Sequence, residues 1–130
     1  MKITLAQITG PALLGLGAIA ATSSVALAES VSPPENMPFQ YAVGYEQFEA
    51  NCAGCHGPDL GGTDEGPPLM HRYYKPSHHN NAAFYRAIKT GSAQHHWSFG
   101  DMKPVEGVTD KQAKQIIEFV RWYQRENGLF

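Results

Sequence analysis

Cysteine is scarce in this chain of 130 residues: there are two, too few for a scaffold held by disulfides. Positive charge is scarce as well. Ten Lys and Arg stand against twelve Asp and Glu, a formal net charge of -2, and that balance argues against a partner with a phosphate backbone, so nucleic acid is not expected. No stretch alternates apolar and polar residues long enough for a strand, and no segment repeats. Nor is there an unbroken apolar run of the roughly 20 residues that a membrane-spanning helix requires. The length allows one small domain, and the periodicity that does occur is helical.

The 26 residues between Lys2 and Glu29 carry no charge, and residues 11–21 form a short apolar core rich in Ala, Leu and Gly. Thr4, Gln7, Thr9 and Thr22-Ser23-Ser24 interrupt it, which disfavours an anchor. A cationic start, an 11-residue apolar stretch and Ala26-Leu27-Ala28 as a small-x-small site compose a secretory signal peptide cleaved after Ala28. Residues 1–28 are therefore expected to be removed on export to the periplasm. The mature chain is then residues 29–130, with no membrane attachment, and a monomer is expected.

Residues 29–40 hold Pro33, Pro34 and Pro38 and read as an extended lead-in. The domain spans residues 41–130. Tyr41, Tyr45, Phe48 and Cys52 recur at i, i+4, i+7 and i+11, the stripe of a helix that runs into the cysteines. Four Gly and three Pro within residues 57–68 predict a loop. Asn80 or Asn81 caps a short helix over residues 82–90, stopped by Gly91. After an irregular stretch, residues 92–108, the last helix opens on a Thr109/Gln112 capping box. It carries the stripe Ala113, Ile116, Ile117, Val120, Tyr123 and ends at Asn127-Gly128. The class is all-α with long loops. Short helices joined by such loops bury too little apolar area to offset the entropy of ordering them, so a large apolar group is expected in the middle.

Cys52-Ala53-Gly54-Cys55-His56 is the C-x-x-C-H run of a covalent haem attachment site. On a helical turn, positions three apart share a face, so two thiols reach the two vinyl groups along one haem edge and His56 falls under the iron. The competing readings are a redox dithiol, a disulfide, or half a zinc site. A thioredoxin-like site wants a βαβ setting and zinc wants two more well-spaced ligands; neither is present. The sixth ligand decides the chemistry: a strong one suits electron transfer, an open position suits ligand binding or catalysis. Met102 is the best placed. It lies in the loop before the last helix, stiffened by Pro104, whereas Met70 reads as core filler and Met37 lies in the lead-in.

Residues 41–130 resemble the class I monohaem c-type cytochromes of the bacterial periplasm, with Met/His ligation. That resemblance implies a small fold of three to four helices around one covalent haem c. It implies that Gly44 and Phe48 pack the first helix against Phe119 and Val120 of the last. Gly66-Pro67-Pro68-Leu69 resembles the family's G-P-x-L, which assigns the carbonyl of Pro67 to the Nδ1 proton of His56 and lays Leu69 on the haem. Many relatives read Met-Pro at the distal loop; this chain reads Met102-Lys103-Pro104. The expected function is electron transfer between larger redox proteins, without enzymatic activity. The alternatives are a haem enzyme or gas sensor with an open iron, and a membrane-tethered haem subunit.

Two histidine dyads, His78-His79 and His95-His96, flank the middle helix. They admit three readings: bis-His ligation of the iron, a peripheral copper or zinc site shared with His71, or an exposed polar loop. The dyads lack the i, i+4 spacing of a helical metal site. Trp97, with Tyr73, Tyr74 and Arg72, offers donors for the haem propionates. Charge is segregated: residues 29–71 carry seven acids and no Lys or Arg, and residues 72–100 carry Arg72, Lys75, Arg86 and Lys89 and no acid. Such a basic segment suits transient docking of an acidic redox partner, against the plainer reading of a solvated surface.

Overall fold

Local capping chemistry starts and stops the helices of the computed structural model, which describes residues 33–130. The export leader lies outside the described residues. The described chain forms α1 (Ala42–Asn51), α2 (Ala53–His56), α3 (Asn81–Thr90) and α4 (Asp110–Glu126), with 3-10 turns at Phe39–Tyr41 and Arg72–Tyr74. Among the described residues the only β pairing is the isolated bridge between Ser92 and Met102. The expected all-α class holds. At α4 the Thr109 hydroxyl accepts from the Gln112 N–H while the Gln112 side chain accepts from the Thr109 N–H at 2.9 Å, the reciprocal cap anticipated from sequence. Asn80, not Asn81, caps α3, its side chain accepting from the Ala83 N–H at 3.0 Å.

Two elements depart from expectation. The lead-in is not extended throughout. The Tyr41 N–H reaches the Pro38 carbonyl at 2.9 Å and closes a 3-10 turn. Pro38 precedes that turn, so its missing N–H costs nothing there. Tyr41 then stacks on Trp122 with ring centroids 5.4 Å apart. The first helix also does not run unbroken into the motif: Cys52, at φ -129°, ends α1 and begins the single turn α2.

The core lies where α1 crosses α4. Phe48 and Phe119 are fully buried with ring centroids 5.5 Å apart, and Tyr45 meets Phe119 edge-on at 5.5 Å. Gly44 permits this approach. A Cβ there would overlap the Gln115 carbonyl oxygen and lie 2.9 Å from Phe119 Cβ. The crossing is held at its rim by Gln112, whose amide donates to the Gln47 side chain at 2.8 Å. The adjoining flank of α4, bearing Ile116 and Val120, turns to a cleft shared with α1, the motif and α3.

Gly44→Ala is expected to destabilise the haem-loaded protein by about 1–3 kcal/mol, as overpacking of a tight contact does. The midpoint of guanidinium unfolding measures it. Gly54→Ala, whose Cβ meets nothing within 4 Å, is the control and should not lower that midpoint.

Candidate haem site

His56 closes α2, and its Nδ1 lies 2.9 Å from the Pro67 carbonyl oxygen. A carbonyl only accepts, so Nδ1 carries the proton and Nε2 keeps its lone pair. Burial holds the imidazole below its ordinary pKa, which favours that neutral form. The loop over residues 57–68 is folded back to make this contact. The Gly62 N–H donates to the His56 carbonyl at 2.7 Å, the Thr63 hydroxyl donates to the Cys55 carbonyl at 2.8 Å, and buried Leu60 plugs its centre. Pro67 thereby orients the ring, the arrangement that fixes a metal-binding imidazole.

Cys52 and Cys55 are free thiols, Cys52 half-buried and Cys55 exposed. Burial, with Cys55 adding to it, pushes the Cys52 thiol up to about 12. A redox dithiol needs the opposite shift. Zinc is no better served, since no metal-ligand group forms around the two thiols among the described residues.

Met102 comes from a loop tied into a ring. It exchanges both backbone hydrogen bonds with Ser92 at 2.9 Å, and the Val105 N–H donates to the Ile88 carbonyl of α3 at 2.8 Å. Gly91 makes the closure possible: its φ is +79°, and a Cβ would lie 2.5 Å from the Met102 carbonyl oxygen. Asp101 accepts from the Gln94 N–H at 2.8 Å and stiffens the ring further.

These elements enclose a cleft of about 780 Å³, within the roughly 300–1,000 Å³ typical of sites for small molecules and cofactors. All seven residues singled out from sequence line it: Cys52, Cys55, His56, Pro67, Leu69, Trp97 and Met102. Of Met37, Met70 and Met102, only Met102 does; the other two pack against the core. Phe48, Ile88, Ile116 and Val120 supply apolar wall. The Trp97 indole N–H is buried and lacks a hydrogen-bond partner. It points toward the Tyr74 hydroxyl, whose pKa it draws down against the upward effect of burial, but the contact falls outside hydrogen-bond geometry. Two thiols, an oriented imidazole, a thioether, apolar walls and an unmet donor fit a haem with its propionates.

Not every expected neighbour takes part. Tyr74 lines the cleft, but Arg72 and Tyr73 do not. Successive residues of the 3-10 turn point apart, and Tyr73 instead stacks on His96 at 4.2 Å, with the Arg72 guanidinium 5.6 Å from its ring centroid. Lys89 is already engaged, donating to the Val108 carbonyl at 2.8 Å and pairing with Asp110 at 3.2 Å. Arg86, with Lys103, reaches the cleft rim.

Sequence reasoning missed Arg121 and Gln124, both buried on α4. Arg121 donates to the carbonyls of Tyr74 (2.5 Å) and His79, to Asn81 Oδ1 (2.8 Å) and to Gln124 Oε1 (2.7 Å), and lies 4.4 Å from the Phe84 ring centroid. Gln124 passes the link on, donating to the Leu69 carbonyl at 2.7 Å. The two clamp residues 69–81 onto α4.

The sequence model of the cytochrome c family, described as Cytochrome c, matches residues 41–124. No curated protein matches the chain.

Arg121→Met, which fills the volume but leaves several carbonyls unpaired, is expected to cost about 3 kcal/mol. Denaturant unfolding of the haem-loaded protein reads this loss.

Proposed function

The chain belongs to the cytochrome c family, whose haem c is covalent and whose work is electron transfer, and on that premise we propose an exported one-electron carrier with His56 and Met102 as axial ligands. Cys52 and Cys55 would hold the haem through thioether bonds to its two vinyl groups. Pro67 orients His56, and Leu69 and Trp97 would contact the ring and a propionate.

The observation that carries the reading is that, of the three methionines among the described residues, Met102 alone lines the cleft that holds His56. Bound haem supplies a ferrous/ferric couple. The protein keeps the ligands in place through that change. The Pro67 carbonyl retains the Nδ1 proton of His56, so Nε2 keeps a lone pair that would hold the iron, and the Ser92 bridge pins the Met102 backbone. Apolar walls keep water out, which lowers the reorganisation that accompanies a change of charge. No substrate pocket beyond the cleft is required.

Export rests on the leader before residue 29, and the compartment inferred is the periplasm. A donor and an acceptor, both redox proteins, dock transiently. With Lys89 paired to Asp110, Arg72, Lys75 and Arg86 of the basic segment, joined by Lys103 at the cleft rim, are the cations proposed to steer an acidic partner.

The haem-loaded protein should be six-coordinate and low-spin in both oxidation states and should ignore small ligands. Met102→Ala should abolish the thioether signature in optical and resonance spectra. A high-spin native iron that binds ligands overturns the carrier in favour of a haem enzyme or sensor. A second reading, histidine in place of Met102, is favoured by the presence of His79, His95 and His96 on the cleft wall; it requires a low-spin spectrum that survives Met102→Ala. Mass spectrometry of exported protein should show the haem added and residues 1–28 gone.

A further inference from the structure

The two histidine dyads meet face to face. His78 Nε2 lies 3.1 Å from His96 Nε2, and His79 Nε2 lies 3.2 Å from His95 Nε2. The second contact cannot be an ordinary hydrogen bond between neutral rings. His79 Nδ1 is 2.6 Å from the Tyr73 carbonyl oxygen, and His95 Nδ1 is 2.8 Å from the Ala93 carbonyl oxygen. Carbonyls only accept, so each ring carries its proton on Nδ1 and presents a lone pair at Nε2. Two lone pairs therefore face each other, and something positive must lie between them.

A proton is the weaker candidate. A shared proton joins two rings only, whereas two such pairs, His78–His96 and His79–His95, lie side by side here. A metal ion satisfies the geometry. With metal–nitrogen bonds of about 2.0–2.1 Å, two imidazole nitrogens on one ion lie about 3.3 Å apart if it is tetrahedral and about 2.9 Å apart if it is square-planar. Both observed separations fall between these limits. Donor atoms of His78, His79 and His96 all lie within 4.8 Å of one another, and His95 meets His79 at the edge of this group. The Nδ1 contacts to backbone carbonyls orient the rings as the outer partners of metal-bound histidines do. Tyr73, stacked on His96 at 4.2 Å, braces the cluster from the side. His78 is exposed, so an ion has a way in.

We propose that His78, His79 and His96 form a second metal centre on the rim of the cleft, with His95 seated against His79, taking one divalent transition ion and binding Cu2+ ahead of Zn2+. An all-imidazole donor set suits both ions, and copper forms the stronger complexes. The centre is independent of which side chain is the sixth ligand to the haem iron, and its test reads the histidines separately.

The experiment titrates haem-loaded protein with Cu2+, followed by calorimetry and electron paramagnetic resonance, with Zn2+ as competitor. One Cu2+ per chain is expected, with hyperfine structure from at least three nitrogens, displaced only by excess Zn2+. His79→Gln and His96→Gln should each weaken it by at least about 10-fold, as should His78→Gln, whose exposed position protects against misfolding. His71→Gln should leave the affinity unchanged. The haem absorption and far-ultraviolet dichroism of every variant should match the parent. No stoichiometric binding, or binding indifferent to these substitutions, overturns the proposal. So does a low-spin haem spectrum lost in the histidine variants, which would make these residues iron ligands. Loss of the Met102 signature in the parent with copper binding intact would sink only the carrier's axial assignment.

Discussion

The void of about 780 Å³ between the helices is the constraint on which the structure depends. α1 and α4 bury their shared face completely, through Phe48, Phe119 and the Gly44 crossing. That core is small. Leu69, Ile88, Ile116 and Val120 are buried in the same cluster and also line the cleft. Whatever apolar surface they and their neighbours present to it adds to stability when water is displaced, at about 25 cal/mol per Å². A covalent haem does this at a cost already met by the thioether bonds, since the group cannot leave. The long loops are then ordered around their contents: Leu60 and Leu69 in one, Met102 and Val108 in the other.

Most of this was legible from sequence because it is written in local chemistry. The cap of α4 needs only Thr109 and Gln112, the cap of α3 only Asn80, and its stop only Gly91. The C-x-x-C-H run is five consecutive residues. Pro67 and Leu69 follow within one loop, so the resemblance could place them without knowledge of the fold. Met102 was separable from Met37 and Met70 because it lies in a Pro-stiffened loop before the last helix, whereas Met70 reads as core and Met37 falls in the lead-in. Where local reading failed, geometry won over pattern. Cys52 continues the α1 stripe in register yet leaves helical geometry, because the chain must turn there for His56 to meet the Pro67 carbonyl. Pro38 forbids a helix through it but not a 3-10 turn after it.

The illegible features are those satisfied across long separations. Arg121 reads as one more cation on a charged helix, with a carboxylate as the expected partner. Its partners are instead backbone carbonyls at Tyr74 and His79 and the side chain of Asn81, more than forty positions away along most of these links. No charge pattern announces an arginine that pairs with carbonyls. The histidines misled for the same reason. Judged by helical spacing they make no site, yet partners sixteen and eighteen residues apart meet at 3.2 and 3.1 Å. α3 separates the dyads in sequence and returns the chain close enough for them to touch.

Arg121 joins these two illegible features to the legible one. It grips the carbonyl of His79 and, through Gln124, that of Leu69, so the segment bearing His78 and His79 is fixed to the helix whose Ile116 and Val120 wall the cleft. The histidine cluster is therefore not a loose appendage. His79, His95 and His96 belong to the same cleft wall as Trp97 and Met102, and charge gained among them acts across a region of low dielectric, where it is little screened. A cation held there would favour the less positive oxidation state of a neighbouring iron. The fold thus sets a site for charge directly beside a site for electrons, with one buried guanidinium holding the two in register.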